Sequence, residues 1–200
     1  MARPRDESAA RTRAALVAAG IELFTRDGFA AVTTVQLCEH LGVTRGALYH
    51  HFANLTALME ACFEEVDHAL VRRLARTSGA GDPGERLRAC TREFVRQLAK
   101  PTVRGILFVE APAALGWARW RELDGGRSLG LVRGLLVDAR DAGLLRAGHD
   151  PAVLAHLLLG ALNEAGMYIA AARSSTRASK AAQRELESLL TALLIPAPSP

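Results

Sequence analysis

The sequence predicts an all-α protein with about nine helices. Half of its 200 residues are hydrophobic but only 5% are aromatic, a composition that favours helices over sheets. Apolar residues return every three or four positions along most of the chain, as on one face of a helix. No long stretch alternates apolar and polar residues, so no strand is predicted.

The first predicted helix runs from about Glu7 to Asp27 and carries an apolar inner stripe. Gly28 can adopt the left-handed conformation that ends many helices, and Phe29 can supply the apolar contact that often follows it. Arginines are frequent at this end of the chain, and in a DNA-binding protein they would form a basic arm: Arg3, Arg5, Arg11 and Arg13. For Arg3 and Arg5 a solvated tail is the alternative.

The stretch from Thr33 to Phe52 has the pattern of two short helices joined by a tight turn. Thr33 can cap the first helix together with Gln36, three residues later. Gly42 supplies the positive φ that a sharp turn needs, and Thr44 can cap the second helix. This is the layout of a helix-turn-helix, whose second helix enters the major groove of DNA.

The outer face of the second short helix is unusual for a solvated helix. Leu48 and Phe52 are predicted to point inward, while the other side carries small residues, a tyrosine and two histidines instead of Glu and Lys. Such a face can lie flush against a duplex. The candidate DNA-contacting residues are Arg13, Thr33, Thr34, Thr44, Arg45, Gly46, Ala47, Tyr49, His50 and His51.

Five polar members of this set have an expected role on DNA. Arg45, in the first turn of the helix, can reach a guanine or a phosphate. Thr34 and Tyr49 are expected to hold phosphates, and His50 and His51 to fix the register on the duplex. The alternative is a structural helical hairpin with an ordinary exposed face.

The segment from Arg13 to Leu58 also carries a family pattern. The matching residues are Ala19, Phe24, Gly28, Phe29, Thr33, Thr34, Leu37, Leu41, Gly42, Val43, Thr44, Gly46, Leu48, Tyr49, His51, Phe52 and Leu58. The segment resembles the N-terminal domain of the TetR family of bacterial transcriptional regulators. The resemblance implies a homodimer that binds a double-stranded DNA operator, a repressor released by a small-molecule effector. At Leu55 the family usually has a lysine that contacts phosphate, so that backbone contact is in doubt here.

Two domains follow from these patterns. Residues 1–53 are predicted to be the helix-turn-helix DNA-binding domain, and residues 54–200 a helical effector-binding and dimerisation domain. A long fourth helix, capped by Asn54 and ending at about Arg76, joins them. Five later helices are predicted. They lie at about 85–99, at 102–120 with a break or kink at Pro112, from near Gly125-Gly126 to about Ala142, at 152–172 and at about 177–194.

The resemblance also implies a ligand pocket in the second domain. Glu110 is a lone acid in an apolar stretch beside aromatic residues, and could orient a ligand there. The candidate pocket residues are Phe94, Phe108, Glu110, Trp117, Trp120, Asn163 and Met167. For Asn163 an interhelical hydrogen bond or a dimer contact remains the alternative, and for Phe94, Phe108 and Met167 an ordinary core position.

The last two predicted helices favour dimerisation. The helix at 152–172 is apolar on nearly every side and must be covered all round, while the final helix carries a wide leucine stripe. Two such helices from each copy would form a four-helix interface. The candidate interface residues are Leu157, Ala161, Tyr168, Leu186, Leu189, Leu190 and Leu193.

Charge and cysteine content agree with a cytoplasmic protein that binds nucleic acid. The formal net charge is +4, although residues 1–60 hold six arginines and six acids and are formally neutral. Cys38, Cys62 and Cys90 are widely spaced and are predicted to be buried thiols in a reducing compartment. Polar residues at 156, 163 and 164 interrupt the most apolar stretch, so a membrane span is not expected.

No catalytic or cofactor motif is found in the sequence. His50 and His51 point in different directions on a helix and have no further ligand at metal spacing, so no metal site and no cofactor are expected. The chain is therefore not expected to be an enzyme. The alternative function is a helical small-molecule-binding protein or enzyme with a degenerate helix-turn-helix, which the neutral first domain and Leu55 favour slightly.

Overall fold

The computed structural model describes residues 4–79 and 81–195, and these form ten helices, which confirms the predicted all-α class. In chain order the helices are α1 (Pro4–Asp27), α2 (Thr34–Leu41), α3 (Arg45–His51), α4 (Leu55–Thr77), α5 (Pro83–Gln97), α6 (residues 101–115), α7 (Trp117–Asp124), α8 (Arg127–Asp141), α9 (Pro151–Ala171) and α10 (Ser175–Leu193). A short 3-10 turn, Phe29–Ala31, follows α1. Across the described ranges, the one strand-like pairing is an isolated bridge between Leu145 and Leu194.

The structure has one helix more than expected because the predicted helix at 102–120 is divided. Gly116 lies between α6 and α7 with a φ of 77°, a left-handed value that a continuous α-helix does not contain. The chain turns at this glycine, and Trp117 begins a new helix in another direction.

The kink expected at Pro112 takes the form of a π-helical turn, Ile106–Glu110, directly before it in α6. Pro112 has no N–H to offer to the Leu107 carbonyl five residues earlier. The indole N–H of Trp120 donates to that carbonyl instead, at 2.8 Å, and this bond is buried. The bond fastens α7 to the irregular part of α6.

Helix α4 packs on α1 at one end and on α5 and α8 at the other. Its N-terminal half lies against α1, where the Cys62 thiol donates to the Val17 carbonyl at 3.5 Å. A Cβ at Gly20 would stand 2.9 Å from the Cys62 sulfur, so this close approach requires a glycine. The C-terminal half packs on α5 and α8. Burial raises the pKa of Cys62 to about 12, which leaves the thiol protonated at neutral pH.

Helix α9 is long and apolar enough to cross a membrane by length and composition alone, a test that buried core helices also pass. In this fold it packs between α8 and α10 and buries one face in the core. A second face is exposed and apolar: Leu157 and Tyr168 are 65% and 54% exposed. On α10, Leu189 is 50% exposed.

Two residues predicted for a dimer interface belong to the core of the single chain. Leu186 and Leu190 are buried, whereas Ala161 and Leu193 are half-buried. The prediction was wrong for Leu186 and Leu190 because the leucine stripe of α10 is wide and one edge of it faces α5. Arg88 of α5 holds the two helices together through Glu187, at 3.2 Å.

Candidate functional site

The helix-turn-helix is held by the caps that the sequence predicts. The Thr33 hydroxyl accepts from the Gln36 N–H at 3.2 Å, and the Gln36 side chain accepts from the Thr33 N–H at 2.8 Å. Gly42 ends α2 with a φ of 66°. The Thr44 hydroxyl then accepts from the Ala47 N–H at 3.2 Å and starts α3.

Helix α3 has a sharply divided surface. Leu48 and the following Phe52 are buried, as expected, and belong to the same hydrophobic core as Leu37 and Phe24. The opposite side is open: Arg45, Gly46, Tyr49 and His50 are exposed, and Ala47 and His51 are half-buried. The apolar residues of the helix are therefore buried in the core, and the predicted DNA-contacting residues lie at the surface.

The polar residues of this surface form a connected group. The Arg45 guanidinium carbon lies 6.0 Å from the centre of the Tyr49 ring. Hydrogen bonding to Arg45, and then to Thr34, lowers the pKa of Tyr49. Arg13 of α1 stacks on the Phe52 ring at 5.1 Å, which brings its charge close to α3. Of the other predicted arm residues, Arg11 is exposed on α1, while Arg3 and the side chain of Arg5 lie outside the described residues.

A cavity lies among helices α4 to α9, on the C-terminal side of the helix-turn-helix. It is narrow, with about 30 Å³ open to the centre of a water molecule, which is room for about two waters. Three phenylalanines and several aliphatic side chains make most of its wall. The lining residues are Phe63, Asp67, Leu70, Leu74, Cys90, Phe94, Leu107, Phe108, Asp124, Ser128, Leu131, Val132, Leu159, Leu162 and Asn163.

Four of these lining residues, contributed by four helices, form a polar end of the cavity: Asp67, Asp124, Ser128 and Asn163. The Ser128 hydroxyl donates to Asp67 Oδ1 at 3.2 Å, and the Asn163 amide donates to Asp124 Oδ2. Both carboxylates are at least nine-tenths buried. Desolvation raises the pKa of Asp67 to about 6 and also raises the pKa of Asp124.

The seven candidate pocket residues fall into two groups. Phe94, Phe108 and Asn163 line the cavity, and the rings of Phe94 and Phe108 meet edge to face at 6.1 Å. The other candidates do not line it. Trp117 is 59% exposed on α7, and Met167 is half-buried on α9 without reaching the cavity wall.

The assignments of Trp120 and Glu110 to the pocket are corrected by their hydrogen bonds. The Trp120 indole is fully buried and bound to the Leu107 carbonyl, so it is part of the core. The Glu110 carboxylate accepts from the backbone N–H of Phe29 at 2.7 Å. This acid therefore joins α6 to the end of the first helix, some 80 residues earlier in the chain.

Comparison with known proteins identifies the family. Residues 16–62 match the family model described as "Bacterial regulatory proteins, tetR family", and residues 84–193 match "Tetracyclin repressor-like, C-terminal domain". The second match alone covers more than half of the chain. The chain belongs to the TetR family of transcriptional regulators.

Individual TetR-family members agree with this assignment. The HTH-type transcriptional regulator TtgR of Pseudomonas putida is 36% identical over 98 residues, which are 49% of this chain and 46% of TtgR. The chain thus spans about half the length of the curated relatives it matches. A crystal structure of a TetR-family transcriptional regulator from Pectobacterium atrosepticum superimposes with a TM-score of 0.87 at 30% identity, covering 98% of this chain and 100% of that one.

Sequence reasoning missed the acids of this TetR-family cavity, although a signal was present. Asp67 follows Phe63 by four positions and precedes Leu70 by three, so it stands within an apolar stripe of α4. A carboxylate inside such a stripe must be buried and is a candidate functional group. Asp124 gives no comparable signal, since it is the last residue of the short helix α7 and stands directly before the Gly125-Gly126 turn.

The raised pKa of Asp67 makes the stability of the protein depend on pH. Because its folded pKa of about 6 exceeds the ordinary 3.8, ionising it disfavours the fold, and stability is lost as pH rises through 6. The shift corresponds to about 3 kcal/mol. Asp67→Asn removes this penalty and should raise the free energy of unfolding by about that amount near pH 8, but by little near pH 4. Urea unfolding at both pH values measures the difference.

The exposed Asp141→Asn is the matched control, expected to stay within about 0.5 kcal/mol of the parent at both pH values. An equal gain for Asp67→Asn at high and low pH would show that packing, not the buried charge, is responsible.

Proposed function

We propose that the protein is a sequence-specific DNA-binding transcriptional regulator that acts in the cytoplasm as a repressor. A small-molecule effector bound in the cavity would release it from its operator. The observation that carries the proposal is the divided surface of α3, with Leu48 buried and Arg45, Gly46, Tyr49 and His50 exposed on a capped helix-turn-helix. Family membership supports it, since TetR-family proteins are transcriptional regulators.

In this proposal α3 enters the major groove. Arg45 contacts a base edge or phosphate from the first turn of the helix, and small residues at 46 and 47 allow close approach. Thr34 and Tyr49 bind phosphates on one side, and His50 and His51 fix the register. Thr33 and Thr44, whose hydroxyls are used as caps, contribute to phosphate binding at the helix starts. Arg13 adds a cation from α1.

The phosphate contact that a lysine at position 55 would make is partly replaced by the start of helix α4. Leu55 is the first residue of α4 and is half-buried against the core. The N-terminus of a long helix attracts phosphate through its own N–H groups and dipole. One backbone contact is thereby weakened without being removed.

Arg45→Ala should weaken binding to an operator selected from random DNA by about 10- to 100-fold, the range for a direct base contact. Exposed Arg177 on α10 provides the control, since Arg177→Ala changes net charge equally but lies outside the helix-turn-helix. Gel-shift titrations at several salt concentrations give both affinity and the number of phosphate contacts. Equal losses for the two variants would leave only a non-specific charge effect.

A homodimer would carry two copies of α3 to successive major grooves, about 34 Å apart. We propose that the exposed apolar face of α9 and α10 is its interface. That face contains Leu157, Tyr168 and Leu189, with Ala161 and Leu193 at its margin. Large exposed apolar patches mark interaction surfaces, and this one runs along two adjacent helices.

Leu157→Glu should convert the protein to monomers, because it places a charge at the centre of the apolar face. Leu157 is 65% exposed in the single chain, so the fold itself should tolerate the change. Leu157→Met keeps the surface apolar and should remain dimeric. Light scattering of the eluting protein distinguishes the cases, and a dimeric Leu157→Glu protein would exclude this face.

Two contacts connect the cavity to the DNA-binding helices. The π turn of α6 carries Leu107 and Phe108 in the cavity wall and Glu110 on the Phe29 N–H. Phe29 in turn packs on Phe24 of helix α1, with ring centres 5.3 Å apart. Displacing Phe108 would disturb the same turn that holds Glu110. We propose that this turn, together with α4, transmits ligand binding to α3, with a coupling free energy of about 1–3 kcal/mol.

Glu110→Ala should speed amide hydrogen exchange of Phe29 at least about 10-fold, since a hydrogen bond to a charged group is lost. Glu110→Gln keeps an acceptor oxygen and should retain most of the protection. The exposed Glu65→Ala on α4 serves as the control for loss of a surface charge. Unchanged exchange at Phe29 in Glu110→Ala would remove this carboxylate from the path between cavity and DNA.

A further inference from the structure

The two carboxylates at the polar end of the cavity are incompletely hydrogen-bonded. A carboxylate can accept about four hydrogen bonds, yet Asp67 accepts one within the described residues, from Ser128. The nearest cation to Asp67 is Arg127, whose Nη1 lies 4.0 Å from Oδ2 and whose side chain is 48% exposed. Asp67 Oδ2 therefore has no hydrogen-bond donor in the described structure.

Asp124 is in a similar position. Asn163 donates to it from α9, and Arg121 lies at 3.6 Å, again from a partly exposed side chain. Asp124 is close enough to Asp67 to raise the pKa of Asp67 further by repulsion. Two buried carboxylates thus share one wall, and the arginine nearest to each has a partly exposed side chain.

The remainder of the wall restricts what can neutralise this charge. Phe63, Phe94 and Phe108 and the aliphatic side chains around them offer no polar contact to a hydrated ion. No group of three potential metal ligands occurs in the described residues, and two carboxylates alone make a poor metal site. An apolar body with one positively charged donor group matches both ends of the cavity.

We propose that the cavity binds an organic cation, with a protonated amine between Asp67 and Asp124 and an aromatic or aliphatic body against Phe63, Phe94 and Phe108. The N–H groups of the amine would fill the acceptor positions that Ser128 and Asn163 leave open. This inference rests on the proposed function, because it names the chemical class of the effector. A body larger than two waters must push the phenylalanines apart, and Phe108 lies on the π turn that carries Glu110.

Two matched probe series test the charge preference on the full chain. The first is phenethylamine, phenethyl alcohol and phenylacetate; the second is tryptamine, tryptophol and indoleacetate. Each set varies charge on one ring system. Calorimetric titration at neutral pH is expected to give at least one amine that binds at least tenfold tighter than its alcohol, and no binding of the acids. An alcohol or acid that binds as tightly as its amine, or two amines that fail to bind, would overturn the proposal.

Variants then locate the cation. Asp67→Asn and Asp124→Asn should each reduce amine affinity at least tenfold while leaving alcohol affinity unchanged, and the exposed Asp141→Asn should alter neither. Undiminished amine affinity in both cavity variants would refute the site. Gel shifts with the selected operator, run without amine, test the regulator separately. Operator binding without amine preference rejects only the ligand class, and amine preference without operator binding rejects only the regulator.

Discussion

The structure depends most on the double packing of α4. One face of this helix enters the core of the N-terminal helices, where Gly20 allows Cys62 to approach α1 closely. Another face supplies Phe63, Asp67, Leu70 and Leu74 to the cavity wall. Because well-packed interiors transmit displacements instead of absorbing them, a change in cavity shape cannot leave α4 and α1 undisturbed.

The π turn of α6 gives the molecule a second connection of a different kind. Within five residues it places Phe108 in the cavity wall and a carboxylate on the turn after α1. Phe108 has little freedom on its other side, since a Cβ added to Gly166 of α9 would lie 2.7 Å from its ring. A ligand that displaces Phe108 would therefore press on α9 as well as on the π turn of α6. Packing carries one connection and a hydrogen bond carries the other.

The sequence specifies the local structure well and the long-range contacts poorly. The caps at Thr33 and Thr44 and the turn at Gly42 depend on residues within a few positions of one another, and all were predictable. The hydrogen-bond partners of Glu110 and Trp120 lie in other elements of the fold. The sequence therefore suggested that both residues line a pocket, whereas in the structure their hydrogen bonds join neighbouring elements. The wide stripe of α10 shows the same limit, because periodicity finds an apolar face but cannot divide it between Leu186, in the core, and Leu189, at the surface.

The two buried acids destabilise the protein relative to a cavity wall made only of apolar side chains. An apolar side chain in place of Asp67, between Phe63 and Leu70, would cost less free energy in the empty protein, since burying an under-paired charge costs several kcal/mol. That cost becomes selectivity when a ligand binds. A neutral compound leaves both carboxylates with unfilled acceptor positions and gains only apolar contact, whereas a cation also fills those positions and relieves the penalty. The same two charges that weaken the empty protein therefore discriminate among compounds of equal size and shape.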